Sequence, residues 1–106
     1  MFYTYMIRCS DNSIYTGITT DMKRRFREHE QQKSGVCAKY TITRKVISTE
    51  AVWQSESRET ASRLEYHIKK LTKKKKENLI LDNIYFEKYF SEKFNINDYI
   101  RIDING

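Results

Sequence analysis

The chain has no proline and only three glycines in 106 residues, so nothing in it reads as a flexible or polyproline linker. It has two cysteines, Cys9 and Cys37, which form no Cys-x-x-Cys pair and sit in no Cys/His cluster. That pattern argues against a structural zinc site and against a native disulfide. Two reduced thiols are expected, one of them buried in the first strand. No apolar run approaches the roughly 18 residues of a membrane helix. Met1 to Tyr5 lacks the charged and long apolar regions of a signal peptide. The expectation is a cytoplasmic protein with no membrane association. Internal repeats are absent too, and the length suits one domain with a modest core.

Charge is present in excess and unevenly spread. Residues 1–81 carry 17 Lys+Arg against 9 Asp+Glu, a net of +8, and residues 82–106 carry 3 against 5, a net of −2. A basic body suits a phosphate backbone, because each neutralised phosphate releases condensed counterions. Charge alone does not single out that partner.

Phe2 to Cys9 reads as a strand, Ser10-Asp11-Asn12-Ser13 as a turn and Ile14 to Ile18 as a second strand, together a hairpin. Thr20-Asp21 offers an N-cap for a helix to about Gln32, which Ser34-Gly35 stops. Val46 to Gln54, β-branched and aromatic, reads as a third strand. Ser57 caps a helix to about Leu71, and Thr72 caps another over 73–81. The order β-β-α-β-α-α predicts a small α+β domain over residues 1–81. Residues 82–106 read as an aromatic and acidic C-terminal appendage. It has three expected fates: packing back on the body, making a dimer contact, or staying partly disordered. A monomer, or a weak homodimer through this appendage, follows.

Two helices place ionisable groups where apolar ones belong. In the first, the stripe i, i+3, i+4, i+7 is Met22, Arg25, Phe26 and His29. A guanidinium and an imidazole one turn apart suit a cleft that binds phosphate and moves a proton; a solvated helix with a narrow seam also accommodates them. In the second, Glu65 falls between Leu64 and Ile68 of the buried stripe. An inward carboxylate is costly unless paired or bound to a cation; the blander reading is an i,i+4 pair with Lys69. His67, off the stripe, reads as a surface residue. The run Lys73 to Lys76 reads as a solvated face or as phosphate contacts. Arg24, Arg27, Lys33, Lys39, Tyr40, Lys69 and Lys73 are the candidate nucleic-acid contacts.

In order and spacing, Tyr3-Thr4-Tyr5, Tyr15-Thr16-Gly17, Arg25, His29 and Glu65 resemble the signature of the GIY-YIG nucleases. The segments Tyr5-Met6-Ile7-Arg8-Cys9-Ser10-Asp11, Ile14 to Asp21, Ala38-Lys39-Tyr40-Thr41 and Arg63 to Thr72 are similar to the short, single-domain bacterial branch. The likeness covers about residues 2–81. It implies a three-stranded antiparallel sheet flanked by helices and hydrolysis of DNA phosphodiesters with one divalent metal, normally Mg2+, with Mn2+ as a possible substitute. It implies further that Tyr5 helps deprotonate the attacking water, and that Tyr15 orients water or phosphate. Arg25 would stabilise transition-state charge, His29 would assist proton transfer, and Glu65 would be the metal carboxylate. The sequence departs at Tyr3, Thr4 and Thr16, where the family motifs carry glycine and isoleucines. Asn78 is the one candidate for an asparagine that some members place late in the site.

A geometric requirement follows. Side chains alternate along a strand, so Tyr5 and Tyr15 share a face only if the hairpin loop has an odd number of residues. A three-residue loop, Asp11-Asn12-Ser13, is predicted over a two-residue Asp11-Asn12 turn. Three functions fit the sequence. One is a structure-selective endonuclease acting on DNA, with RNA also open. Another is a non-catalytic nucleic-acid-binding protein of the same fold. The third is an interaction module that docks a partner on its aromatic tail.

Overall fold

The computed structural model describes residues 1–31 and 46–103, except for the side chains of Phe26, residues 28–31 and residues 46–47. Its elements are β1 (Phe2–Cys9), β2 (Ile14–Thr19), α1 (Met22–Gln31), β3 (Val46–Ser55), α2 (Arg58–Lys69), α3 (Lys73–Leu81), α4 (Ile84–Phe90), a 3-10 turn (Ile96–Asp98) and β4 (Ile100–Arg101). The strands form one antiparallel sheet in the order β2-β1-β3-β4. The fold is α+β, with four strands where three were expected. The extra one, β4, is two residues long and pairs only with Trp53 and Gln54 of β3, too short to leave a periodic pattern.

The hairpin has the odd loop its tyrosines require. Cys9 N–H donates to the Ser13 carbonyl (2.9 Å) and Asn12 N–H to the Cys9 carbonyl (2.8 Å), closing a three-residue loop of Ser10, Asp11 and Asn12. The loop sits one residue earlier than expected because Asn12 takes the left-handed conformation, φ 66°. Asparagine tolerates that conformation at the last position of such a loop. Asp11 Oδ1 fixes the turn further by accepting from Ser13 N–H.

Helix starts follow their local chemistry. Asp21 Oδ1 accepts from Arg24 N–H (3.0 Å), Ser57 Oγ from Thr60 N–H (3.1 Å) and Thr72 Oγ1 from Lys75 N–H (3.3 Å), each satisfying a backbone donor that has no partner within the helix.

Strand β1 is central and covered on both faces, so Thr4 to Ile7 are all buried rather than alternating with exposed residues. Its even residues face the layer made by α2, α3 and α4. There Met6 packs with Ala51, Trp53, Leu64, Ile68, Leu79, Phe86, Phe90 and Tyr99, and Thr4 Oγ1 donates to the Ala61 carbonyl. Its odd residues face the other way: Tyr5, Ile7 and Val52 form a smaller cluster with Tyr3, Tyr15, Met22 and Ile102.

The described part of the tail packs back on the body, one of the three fates expected for it. Phe86 stacks on Trp53 at 5.5 Å, and Trp53 Nε1 donates to Asn83 Oδ1. The Tyr99 hydroxyl donates to the Thr60 carbonyl (2.6 Å). Arg101 lies over the Trp53 ring and donates to the carbonyls of Leu79 and Ile80. This also corrects the reading of His67 as a surface residue: it is half-buried, with Phe94 at 5.5 Å and Phe90 at 6.2 Å. Burial, and then the charges of Lys93, Lys70 and Arg63, push its pKa below the usual histidine value. At the far end of β1, Arg8 makes two hydrogen bonds to the Glu77 carboxylate of α3, which hold that carboxyl below the usual range.

Phe90 is 2% exposed at the centre of the tail's contact with α2. Phe90→Ala should therefore destabilise the whole domain by about 3–5 kcal/mol in urea unfolding. A loss below about 1 kcal/mol would show that the tail is not part of the cooperative core.

Candidate nucleic-acid cleavage site

The β1–β2 register places Tyr5 opposite Gly17 and Ile7 opposite Tyr15, so both motif tyrosines lie on the same face of the sheet. Their rings are 6.4 Å apart and tilted by 47°. Gly17 explains how they fit. A Cβ on that residue would stand 2.6 Å from the Tyr5 hydroxyl, 2.8 Å from its Cζ and 3.2 Å from Cε2 of Tyr15. Tyr5 therefore lies flat across the backbone of β2, the edge strand, in space that only glycine leaves open. The ring is 2% exposed, held from the other side by β3 through Val52, its cross-strand neighbour. A buried phenol in a fixed rotamer is pre-positioned chemistry. Beside the pair, Tyr3, Met22, Lys23, Val52 and Ile102 line a depression of about 450 Å³ on the same face.

Arg25 is half-buried on α1, as its place in the apolar stripe required, while Lys23, Arg24 and Arg27 are exposed. Arg24, Arg25 and Arg58 converge on a cleft of about 140 Å³ whose other walls are Phe2, Ile18, Thr19 and Thr20, at the end of β2. Three guanidiniums around one small cleft suit a phosphate, which each can meet with two hydrogen-bond donors. Sequence reasoning missed Arg58. The available signal was a cation in the first turn of α2, directly after the Ser57 cap, where the helix dipole favours an acid.

Glu65 is half-buried on α2, between the buried Leu64 and Ile68, and pairs with Lys69 at 3.3 Å. The carboxylate is thus partly inward and makes the i,i+4 pair of the blander reading, on a helix whose buried face packs on the Met6 side of the sheet. Such pairs are worth about 0.3–0.5 kcal/mol, too little to keep the carboxylate from a divalent cation. Among the described residues no three His, Cys, Asp or Glu side chains come together. A metal here would have one protein carboxylate and complete its shell with water and substrate oxygen. That suits Mg2+, which dehydrates reluctantly and keeps several waters.

The remaining expected residues divide. The His29 side chain, Lys33, Lys39 and Tyr40 lie outside the described residues. Lys69 and Lys73 are exposed. Asn78 donates to the Tyr89 hydroxyl (3.2 Å) in the helix layer, across the sheet from the tyrosines.

Residues 1–78 match the GIY-YIG catalytic domain, and the chain belongs to that family. Domains of this family are nucleases in general, act on nucleic acid, and generally use divalent metals. The chain is 49% identical over 79 residues to UPF0213 protein FN1575 of Fusobacterium nucleatum, covering 74% of this chain and 76% of the relative. It is 41% identical over 90 residues to UPF0213 protein YhbQ of Salmonella typhimurium, covering 85% and 87%. The solution NMR structure of UPF0213 protein BH0048 from Bacillus halodurans is 38% identical and covers 90% of this chain and all of that one, with a TM-score of 0.49. No helix among the described residues is long and apolar enough to cross a membrane.

The Gly17 contact is testable without any activity assay. Gly17→Ala should destabilise the domain by about 1–3 kcal/mol through overpacking. That cost should shrink when Tyr5→Leu removes the ring atoms in the way, a coupling readable in a double-mutant cycle of urea unfolding. Equal costs in both backgrounds would mean that the tyrosine does not occupy this space.

Proposed function

We propose that this chain is a metal-dependent endonuclease that hydrolyses DNA phosphodiester bonds, selecting its substrate by structure rather than by base sequence. One observation carries the reading: Tyr5 and Tyr15 share a face, their rings 6.4 Å apart, with Tyr5 seated over Gly17.

In this reading a phosphate sits against the guanidinium of Arg25, which stabilises the negative charge that builds up on its oxygens in the transition state. The Tyr5 oxygen takes the proton from the attacking water. An ordinary phenol, with a pKa near 10, is a weak base at neutral pH, so this role requires Arg25, a lysine or a histidine beside Tyr5 to favour its ionised form. Tyr15 orients the water or the phosphate, and His29 assists the proton transfer. Glu65 would hold the divalent ion, Mg2+ or Mn2+, which when bound supplies Lewis-acid stabilisation of phosphate charge. Arg24, Arg27, Lys33, Lys39, Tyr40, Lys69 and Lys73 contact the backbone on either side. A domain this small offers few groups to read bases, which favours selection by shape. The protein acts in the cytoplasm, as a monomer or weak homodimer.

The test is cleavage of labelled single-stranded, duplex, flap and junction DNA in Mg2+ or Mn2+ against EDTA, beside Glu65→Gln. Metal-dependent products should appear with wild type. They should fall by at least about a hundredfold in Glu65→Gln, a rise of about 2.7 kcal/mol in the barrier, while DNA binding persists. A folded Glu65→Gln protein that cuts as fast as wild type would remove the metal-site assignment. Intact DNA with tight, salt-sensitive binding would replace the reading with a nucleic-acid-binding protein.

A further inference from the structure

The end of α2, the start of α3 and α4 meet around a depression of about 390 Å³. Its rim carries Lys70, Lys75, Lys88 and Lys93, and no Asp or Glu lines it. Among the described residues none of these four lysines is in an ion pair. The floor is apolar and aromatic, made by Leu71, Tyr89 and Phe90, with His67 on one wall.

Concentrating cations in this way costs stability. Lys73 to Lys76 occupy the first turn of α3 with no acid among them, where the helix dipole favours negative charge. A cluster of ammonium groups with no ion pair among the described residues points to an external anion. The ammonium groups are also partly pre-positioned: Lys70 lies 4.5 Å from the Tyr66 ring centre, Lys75 5.5 Å from Tyr89, and Lys88 5.8 Å from Tyr85.

The depression belongs to the helix layer, and the tyrosines lie on the other face of the sheet. We infer that this depression is a second nucleic-acid-backbone site, which takes the phosphates of a strand or arm other than the one at the tyrosines. Four ammonium groups over an aromatic floor match a polyanion whose bases can stack. That both sites serve one substrate rests on the nuclease reading; the binding itself does not.

The test measures binding of wild type and variants in EDTA, by anisotropy of fluorescent flap DNA and of blunt duplex of equal length, across a salt series. Lys88→Ala/Lys93→Ala should lower the slope of log K against log salt by about 1.4–1.8, because each phosphate contact contributes about 0.7–0.9. It should weaken flap binding more than duplex binding, and Lys88→Arg/Lys93→Arg should keep the wild-type slope. An unchanged slope in the folded alanine variant overturns the site. Equal losses on flap and duplex overturn the assignment to a second arm. A lowered slope alongside a wild type that cuts nothing in metal would uphold this site and remove the nuclease reading.

Discussion

The rest of the structure depends on the register of one hairpin. A three-residue turn closed by Asn12 in the left-handed conformation sets Tyr5 opposite Gly17, and every side chain of β1 and β2 then has a fixed face. A slip of one residue would turn Tyr15 toward the helices and bring Thr16 to the tyrosine face. The central place of β1 makes the setting rigid, because β3 holds its other edge and both its faces are covered. The stabilising core and the candidate chemistry thus share one strand: Met6 anchors the helices, and its neighbours Tyr5 and Ile7 build the opposite face.

Features that depend on neighbours in sequence were legible before the structure. The caps at Asp21, Ser57 and Thr72 and the half-buried Arg25 and Glu65 follow from spacing over a few residues, whereas the odd loop was expected from the family resemblance and lies one residue earlier than expected. Features that depend on distant partners were not. His67 reads as a surface residue on α2 because the rings that cover it, Phe90 and Phe94, arrive from the tail. The tail itself left three fates open, since an aromatic stripe does not say what it packs against. Its partner, Trp53, lies some thirty residues earlier on β3. Arg58 was missed for a related reason: the cleft it shares with Arg24 and Arg25 is assembled by tertiary packing.

The tail links stability to charge. Phe86, Phe90 and Tyr99 complete the core, and in doing so they bring Lys88 and Lys93 beside the lysines of α2 and α3. A segment that is acidic by count thus builds part of a lysine-rich surface in the helix layer. Two basic regions result, one of guanidiniums at the end of β2 and one of ammonium groups on the helices. Nucleic acid shaped to reach both would be favoured over a plain duplex.

The central claim is that Tyr5, Tyr15 and Glu65 serve one reacting phosphate. The most direct measurement is paramagnetic broadening of the protein's NMR signals by Mn2+, with a cleavage-resistant phosphorothioate DNA bound. Broadening should centre on the amides around Glu65 and reach those of Tyr5, Tyr15 and Gly17, and Glu65→Gln should abolish it. Broadening centred elsewhere, or unchanged in Glu65→Gln, would contradict the account.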